Sequence, residues 1–524
     1  MRHVAAEAHG APDRRRGGAR GRARLLLRSG VGLWAAIAVT LAAASCNSHG
    51  LSSHPLGFNR ASFDDALDDH PELAEVAAAF DRNVSPPPEA DLRRRQLDLF
   101  AEVLEITWSD YVEPVSTPLV VGLAVESFNQ LGIELGELAR GAGEDAVDDA
   151  DDALAADNLM STGLDRMLAK LDSHSGYLSP DSYREMKLRT RGEFGGIGIE
   201  VAVEDGLVKV VAPIDDTPGQ RAGLKPGDLI THVDGTSVFA MSLSDAVNLM
   251  RGRPGSRVVL DIRRPPAEDS FKVAIVRDTV HIKAVRAEVQ DDVGYIRITT
   301  FNEQAEEELR RAVDDLRGQL GEGMAGLVLD LRNNPGGLLD QALGISDAFL
   351  AGGEIVSTRG RLANTVRRFS AEGGDIAEGL PMVVLINSGS ASASEIVSGS
   401  LQDHRRALVV GTPSFGKGSV QTIIPVSGGG AVRLTTARYY TPSGRSIQLA
   451  GIQPDILVEV DETGLRREQD LENPLPGEPG ASGQAGRLTM DKACPLARQQ
   501  EDPIMACALE LVRSRETIAA GLSN

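Results

Sequence analysis

The sequence predicts a multidomain α/β protein: a helical N-terminal region, a small β-rich module inserted after it, and an α/β core that carries the chemistry. Three observations predict this. From residue 92 the apolar residues Leu97, Leu99, Phe100, Val103, Leu104, Ile106 and Trp108 keep helical spacing. From residue 192 the pattern turns to short β-rich runs broken by glycine. After residue 285 strand-like and helix-like segments alternate, with loops at the strand C-termini, the usual place for a site in layered α/β folds. At 524 residues the chain is also too long for one core.

Residues 1–46 read as a leader. Eight arginines precede an uncharged run over 31–44 that holds Leu33, Trp34, Ile37, Val39 and Leu41. A basic segment, a short apolar run and small residues before a break describe a secretory signal, and the run is short for a membrane span of roughly 20 residues. It ends Ala43-Ala44-Ser45-Cys46, small residues before a cysteine as in a bacterial lipobox, with Ala43 where such motifs carry leucine. Lipidation of Cys46, plain cleavage near Ala44 and an uncleaved anchor all remain open. The chain carries −21, which disfavours nucleic acid as a partner. Cys494 and Cys507 are the remaining cysteines, either a disulfide or two free thiols.

Residues 47–90 are expected to be a tether with one short helix near 63–80, closed by Pro86-Pro87-Pro88. The helical region spans 91–190, with further helices near 119–131 and 164–171. It contains an acidic run around 141–158 that lacks the spacing of a calcium loop and reads as a solvated insertion. Residues 461–490 are Glu-, Pro- and Gly-rich and read as a linker. Residues 491–524 hold a final amphipathic helix, with Pro503 in its first turn.

The β-rich module covers 191–285. Gly195-Gly196-Ile197-Gly198-Ile199 is a glycine loop entering a strand, Leu224-Lys225-Pro226-Gly227-Asp228 is a turn, and residues 242–250 form a helix. That order fits a PDZ module. The backbone N–H groups around Gly196, Ile197, Gly198 and Ile199 can hold the terminal carboxylate of a peptide, which then adds as a strand beside the loop.

In the core, 286–460, the strand Met382–Ile386 leads into Asn387-Ser388-Gly389-Ser390-Ala391-Ser392-Ala393-Ser394-Glu395. Ser390, Ser392 and Ser394 all lie at a helix start, where free N–H groups can stabilise an oxyanion. Residue chemistry alone does not choose among them, and each could equally cap or pack. Lys417, between Gly416 and Gly418, can be buried and so serve as a base, provided its pKa falls from ~10.4 to about 7–8. Gln421, one turn on if the segment is helical, could hold the neutral amine. Asn333-Asn334-Pro335-Gly336-Gly337, after another strand, could aim an N–H at the same place. The spacing around Lys417 is not that of a phosphate-binding loop, and no Gly-x-Ser-x-Gly elbow is present. His404 is the one plausible rival base.

The chain resembles the carboxyl-terminal processing, or tail-specific, proteases, a serine-lysine peptidase family (S41). The matching motifs are Asp-x-His-Ser-x-Tyr-Leu at 172–178, the loop at 195–199 and Asp-Leu-Arg-Asn-Asn-Pro-Gly-Gly-Leu at 330–338. They continue with Ser-Ala-Ser-Ala-Ser-Glu-Ile at 390–396, Gly-Lys-Gly-Ser-Val-Gln at 416–421, Tyr-Tyr-Thr-Pro-Ser-Gly-Arg-Ser-Ile-Gln at 439–448 and Gly-Ile-Gln-Pro-Asp at 451–455. In that family the nucleophile precedes the lysine by 25 positions and the glutamine follows it by four, so the resemblance implies Ser392, Lys417 and Gln421. It further implies an oxyanion hole from Ala393 N–H and a glycine of Gly336-Gly337. The chain departs from the family at Ser173, where proline is usual, and in the acidic insertion. The expected protein is a secreted, membrane-tethered endopeptidase of the bacterial envelope that captures protein C-terminal tails and cleaves through an acyl-enzyme without metal or organic cofactor. A helper protein or self-association is an open partner question, and the alternative is a catalytically silent peptide-binding scaffold.

Overall fold

The computed structural model describes residues 62–514 apart from 86, 142–155, 205, 215, 240, 242, 268, 461–465 and 479–487. The leader with Cys46, most of the acidic insertion and parts of the expected tether and linker lie outside the described residues.

The core is a seven-stranded sheet in the order 285–290, 293–298, 326–330, 382–386, 408–411, 456–457, 488–489. Only the first pair is antiparallel. Of its central strands Met382–Ile386 is apolar at every position and Gly326–Asp330 at all but its last, because both faces are covered. Leu327, Leu329, Val384, Ile386 and Val409 pack on one side against Ile396, Val397 and Leu401 of helix Ala393–Asp403. Val328, Val383, Leu385 and Val410 pack on the other against Ile504, Ala508 and Leu511 of helix Pro503–Arg513. Asp502 caps that helix, accepting from Met505 N–H, with Pro503 behind it as its sequence suggests.

A second sheet pairs Ala431–Tyr440 with Gly176–Leu178, Gly353–Gly360 and Ser419–Pro425. Its Val432 and Leu434 close the core of the N-terminal helices. That core takes in Phe63, Leu73, Val76 and Phe80, so residues 63–83 are part of the folded body where the sequence suggested a tether. Two helices, Phe63–Asp69 and Leu73–Asn83, stand where one was expected. Pro71 lies between them, and proline cannot continue a helix hydrogen-bond ladder. The third helix, Ala90–Asp110, brings Phe100 edge-on to Phe63.

The β module is a six-stranded sheet, 199–204, 207–213, 229–233, 257–263 and 270–276 in order, with 236–237 beside 229–233. It leaves the chain after helix Pro180–Thr190 and returns before Val285–Gln290. Its entry and exit strands, Glu193–Gly196 and Asp278–His281, pair antiparallel as a neck.

Candidate active site

Three loops meet at the C-terminal edge of the parallel sheet. They follow the strands Gly326–Asp330, Met382–Ile386 and Leu408–Gly411. The first is braced by Asp330, which is fully buried and accepts from Arg332 and from Tyr295 Oη–H at 2.8 Å. Asn334, also fully buried, accepts from Gly336 N–H and donates to Ile298 O, both within 2.9 Å.

The structure separates the three serines. Ser390 donates to Leu331 O at 2.8 Å and Ser394 donates to Asn334 O at 2.9 Å, and both are fully buried. These two hydroxyls pin the serine turn onto the neighbouring loop. Ser392 is partly exposed and sits at φ 55°, ψ −109°, a conformation that costs a non-glycine residue on the order of 1–3 kcal/mol. Such strain persists only where the surroundings impose it. Here they include Glu395, whose Oε2 accepts from Ser392 N–H at 2.7 Å.

Glu395 is the side chain that the sequence reading missed. Serine followed three residues later by glutamate at a helix start is capping-box spacing, and that signal was present. Glu395 has no exposure, yet its two oxygens accept four donors. Oε2 takes Ser392 N–H and Lys417 N–H (3.0 Å); Oε1 takes Ser414 Oγ–H (2.5 Å) and Gly416 N–H (2.7 Å). One carboxylate thereby fixes the serine turn against the lysine loop. Burial pushes its pKa up to about 7, and the four donors pull the other way.

Lys417 Nζ donates to Gln421 Oε1 at 2.5 Å. The expected helical turn between them is absent. Ser419–Pro425 is a strand, as its Val420, Thr422, Ile423 and Ile424 favour, with a bulge between Val420 and Gln421. The amide of Gln421 is oriented by donating from Nε2 to Ser419 Oγ and Thr435 Oγ1. Thr435 donates in turn to buried Asp172. Desolvation brings Lys417 down from 10.5 to about 8, with Arg433 assisting and Glu468, Glu395 and Asp172 opposing. The flanking glycines permit the enclosure. A Cβ on Gly418 would lie 2.2 Å from Gln448 N, and Gly416 has φ 97° against the Leu449 backbone.

Two main-chain donors at this place have no hydrogen-bond partner among the described residues: Ala393 N–H and Gly337 N–H. Gly336 differs, since its N–H is held by Asn334. Its role is close approach: a Cβ there would come within 2.9 Å of Ser392 Cβ and 3.0 Å of Ala393 N. His404 is excluded as the base. It caps the far end of the serine helix, where its Nε2 meets Glu354 O at 2.7 Å. Eleven helical residues place it about 16 Å from the turn.

In the β module, Ile197 is buried in its core, while Ile199–Glu204 forms an edge strand whose only neighbour among the described residues is Leu207–Pro213. Gly198 has φ 69°, and its carbonyl accepts from Thr217 Oγ1–H and Ile214 N–H. These bonds fix the glycine loop beside an open strand edge.

Residues 292–458 match the model of peptidase family S41, and residues 209–264 match that of the PDZ domain. The chain is 52% identical over 302 residues to the carboxy-terminal-processing protease of Bartonella bacilliformis, covering 57% of this chain and 70% of that protein. It is 37% identical to the carboxyl-terminal-processing protease of Synechocystis, with 57% and 70% covered. A solved photosystem II D1 C-terminal processing protease is 31% identical, with 70% of this chain and 93% of that chain covered at a TM-score of 0.41. The relatives bear the names of proteases, not of silent scaffolds. The chain belongs to the carboxy-terminal processing proteases, serine proteases of peptidase family S41 that carry a PDZ domain.

Proposed function

We propose that Ser392 is the nucleophile of this protease and Lys417 its general base. Ser392 Oγ attacks the peptide carbonyl carbon as its proton passes to Lys417 Nζ. The oxyanion is taken by Ala393 N–H and Gly337 N–H. The C–N bond then breaks, and the Lys417 ammonium gives its proton to the leaving amine. Water, losing a proton to the now neutral Lys417 Nζ, attacks the ester; the C–O bond breaks and that proton returns to Ser392 Oγ, freeing the serine. Gln421 holds the neutral amine in place. The observation that carries this reading is a desolvated lysine with pKa about 8, bonded to Gln421 and tied through Glu395 to the backbone of Ser392. The test compares the full chain with Ser392→Ala and Lys417→Ala on an unfolded reporter ending in an apolar tail. Both variants should lose cleavage; a Ser392→Ala protein as active as its parent sinks the assignment.

Substrate capture follows from the PDZ domain. The tail carboxylate is bound by N–H groups of Gly196, Ile197, Gly198 and Ile199, and the tail extends along the free edge of Ile199–Glu204. Amidating the reporter's C-terminus should slow cleavage, and an unchanged rate would remove the loop from substrate selection. Export across the inner membrane and lipidation at Cys46 complete the proposal. The basic-apolar leader supports them, as does the disulfide between Cys494 and Cys507, a bond of oxidising compartments. Cys46→Ser should move the protein from the membrane to the soluble envelope fraction; a wild-type membrane fraction refutes the anchor.

A further inference from the structure

Residues 466–478 lie beyond the part of the chain that matches the protease family, and their composition suggested a linker. They form a packed strap. Ser173 N–H donates to Asn473 O at 3.0 Å and Ser173 Oγ–H to Glu472 O at 2.6 Å. Proline, the residue the family pattern places at 173, could make neither bond. Tyr440 Oη–H donates to Glu478 at 2.6 Å, and Leu475 is buried in the core of the N-terminal helices.

The strap inserts one acid beside the base. Glu468 has no exposure, and its N–H donates to Phe415 O at 3.1 Å, two residues before Lys417. Its Oε1 accepts from Gln448 Nε2 at 3.0 Å, and Gln448 Oε1 accepts from Gly418 N–H at 2.9 Å, one residue after Lys417. His174 Nε2 lies 3.0 and 2.8 Å from the two carboxylate oxygens. The strap therefore holds both sides of the lysine loop through a single residue. A buried carboxylate costs stability unless it is well paired, and this one stands where its charge reaches the amine.

We propose that Glu468 is a positioning residue for Lys417, fixing the loop that carries the amine and keeping an anion beside it. The inference rests on Lys417 being the base. The charged groups that act on the amine are Glu468, Glu395 and Asp172 against Arg433, and the ring facing Glu468 is that of His174. Each acid favours the ammonium, so removing one lets the proton leave at lower pH.

The experiment measures kcat/KM of the full chain on the tailed reporter from about pH 6 to about 10. Glu468→Gln keeps a hydrogen-bonding group of the same shape and removes the charge. Its activity limb should move down by about one pH unit, the low end of what one adjacent charge does. A role in folding alone would scale activity at every pH and leave the limb in place, and that result overturns the proposal. Glu468→Asp keeps the charge but shortens the reach, so the limb should stay while kcat falls; an unchanged kcat at every pH also overturns it, and this arm serves if Glu468→Gln does not fold. Lys417→Ala separates the two readings. If it is inactive while Glu468→Gln keeps the parental limb, only this inference fails; if it remains active, the base assignment fails and this inference with it.

Discussion

Replacing Lys417 with methionine should make the protein more stable at neutral pH while abolishing catalysis. The folded protein holds this amine at about 8 against 10.5 in the open, chiefly through desolvation, and that difference is worth about 3 kcal/mol. The penalty is full below about pH 8, where folded and unfolded chains both carry the proton. Methionine has a similar stem and no charge to desolvate, so it removes the penalty. It also strips Gln421 Oε1 of its donor, a loss of about 1–2 kcal/mol for a partly buried acceptor. Charge relief wins, and the variant should gain about 1–2 kcal/mol at pH 7. The sign changes with pH. Between about 8 and 10.5 the folded amine is neutral while the unfolded one is still protonated, so the parent gains stability as pH rises. The curves should cross near pH 9–10, and above about pH 10.5 only the lost hydrogen bond separates them. Urea unfolding in a Ser392→Ala background avoids self-cleavage, with near-ultraviolet dichroism of Tyr439 and Tyr440 as a probe close to the loop. A Lys417→Met protein less stable than its background at pH 7, or a gap that does not shrink toward pH 10, would refute a desolvated base.

Three further outcomes follow from the same geometry. Glu395→Gln turns one double acceptor into a donor facing two N–H or O–H groups, so kcat should fall on the order of 10²-fold with KM little changed; steady-state kinetics showing the loss in KM alone would contradict a positioning role. Ser392→Ala should be inactive but as stable as the parent, whereas Ser390→Ala and Ser394→Ala should each lose about 1 kcal/mol in urea unfolding and keep activity. The Cys494–Cys507 bond closes a loop of 13 residues, so its reduction should cost about 3 kcal/mol of C-terminal stability; thiol titration finding two free cysteines in the exported protein would overturn it.

Much of the core was legible because its signals are local. Met382–Ile386 is apolar at every position, and a strand buried on both faces reads that way from sequence alone. The Lys-Gln pairing was also legible, but for a reason that did not hold: a four-residue spacing suggested a helical turn, and a bulged strand delivers the contact instead. The three serines could not be separated locally. What distinguishes Ser390 and Ser394 is the position of the Leu331 and Asn334 carbonyls, about 60 residues away in sequence. The strap was least legible. Glu, Pro and Gly usually mark a linker, and the partner that turns Glu468 into a buried residue is His174, 294 positions earlier.

The site sets two demands against each other. A lysine that is to act as a base must be neutral, yet three carboxylates, Glu468, Glu395 and Asp172, act on Lys417 and each favours the ammonium. Arg433 opposes them but is not the largest influence; desolvation is. Exclusion of water therefore has to outweigh the acids, and the local sequence is built to achieve it. Gly418 lets the loop lie 2.2 Å, measured to a would-be Cβ, from the Gln448 backbone, and Gly416 turns the chain where other residues would be strained. The acids are needed for a different task, since Glu395 holds the loop to the serine turn and Glu468 holds it to the strap. The lysine is thus kept near the neutral point by burial and kept in place by charges that work against that neutrality. A pKa of about 8, rather than one much lower, is the physical consequence of requiring both.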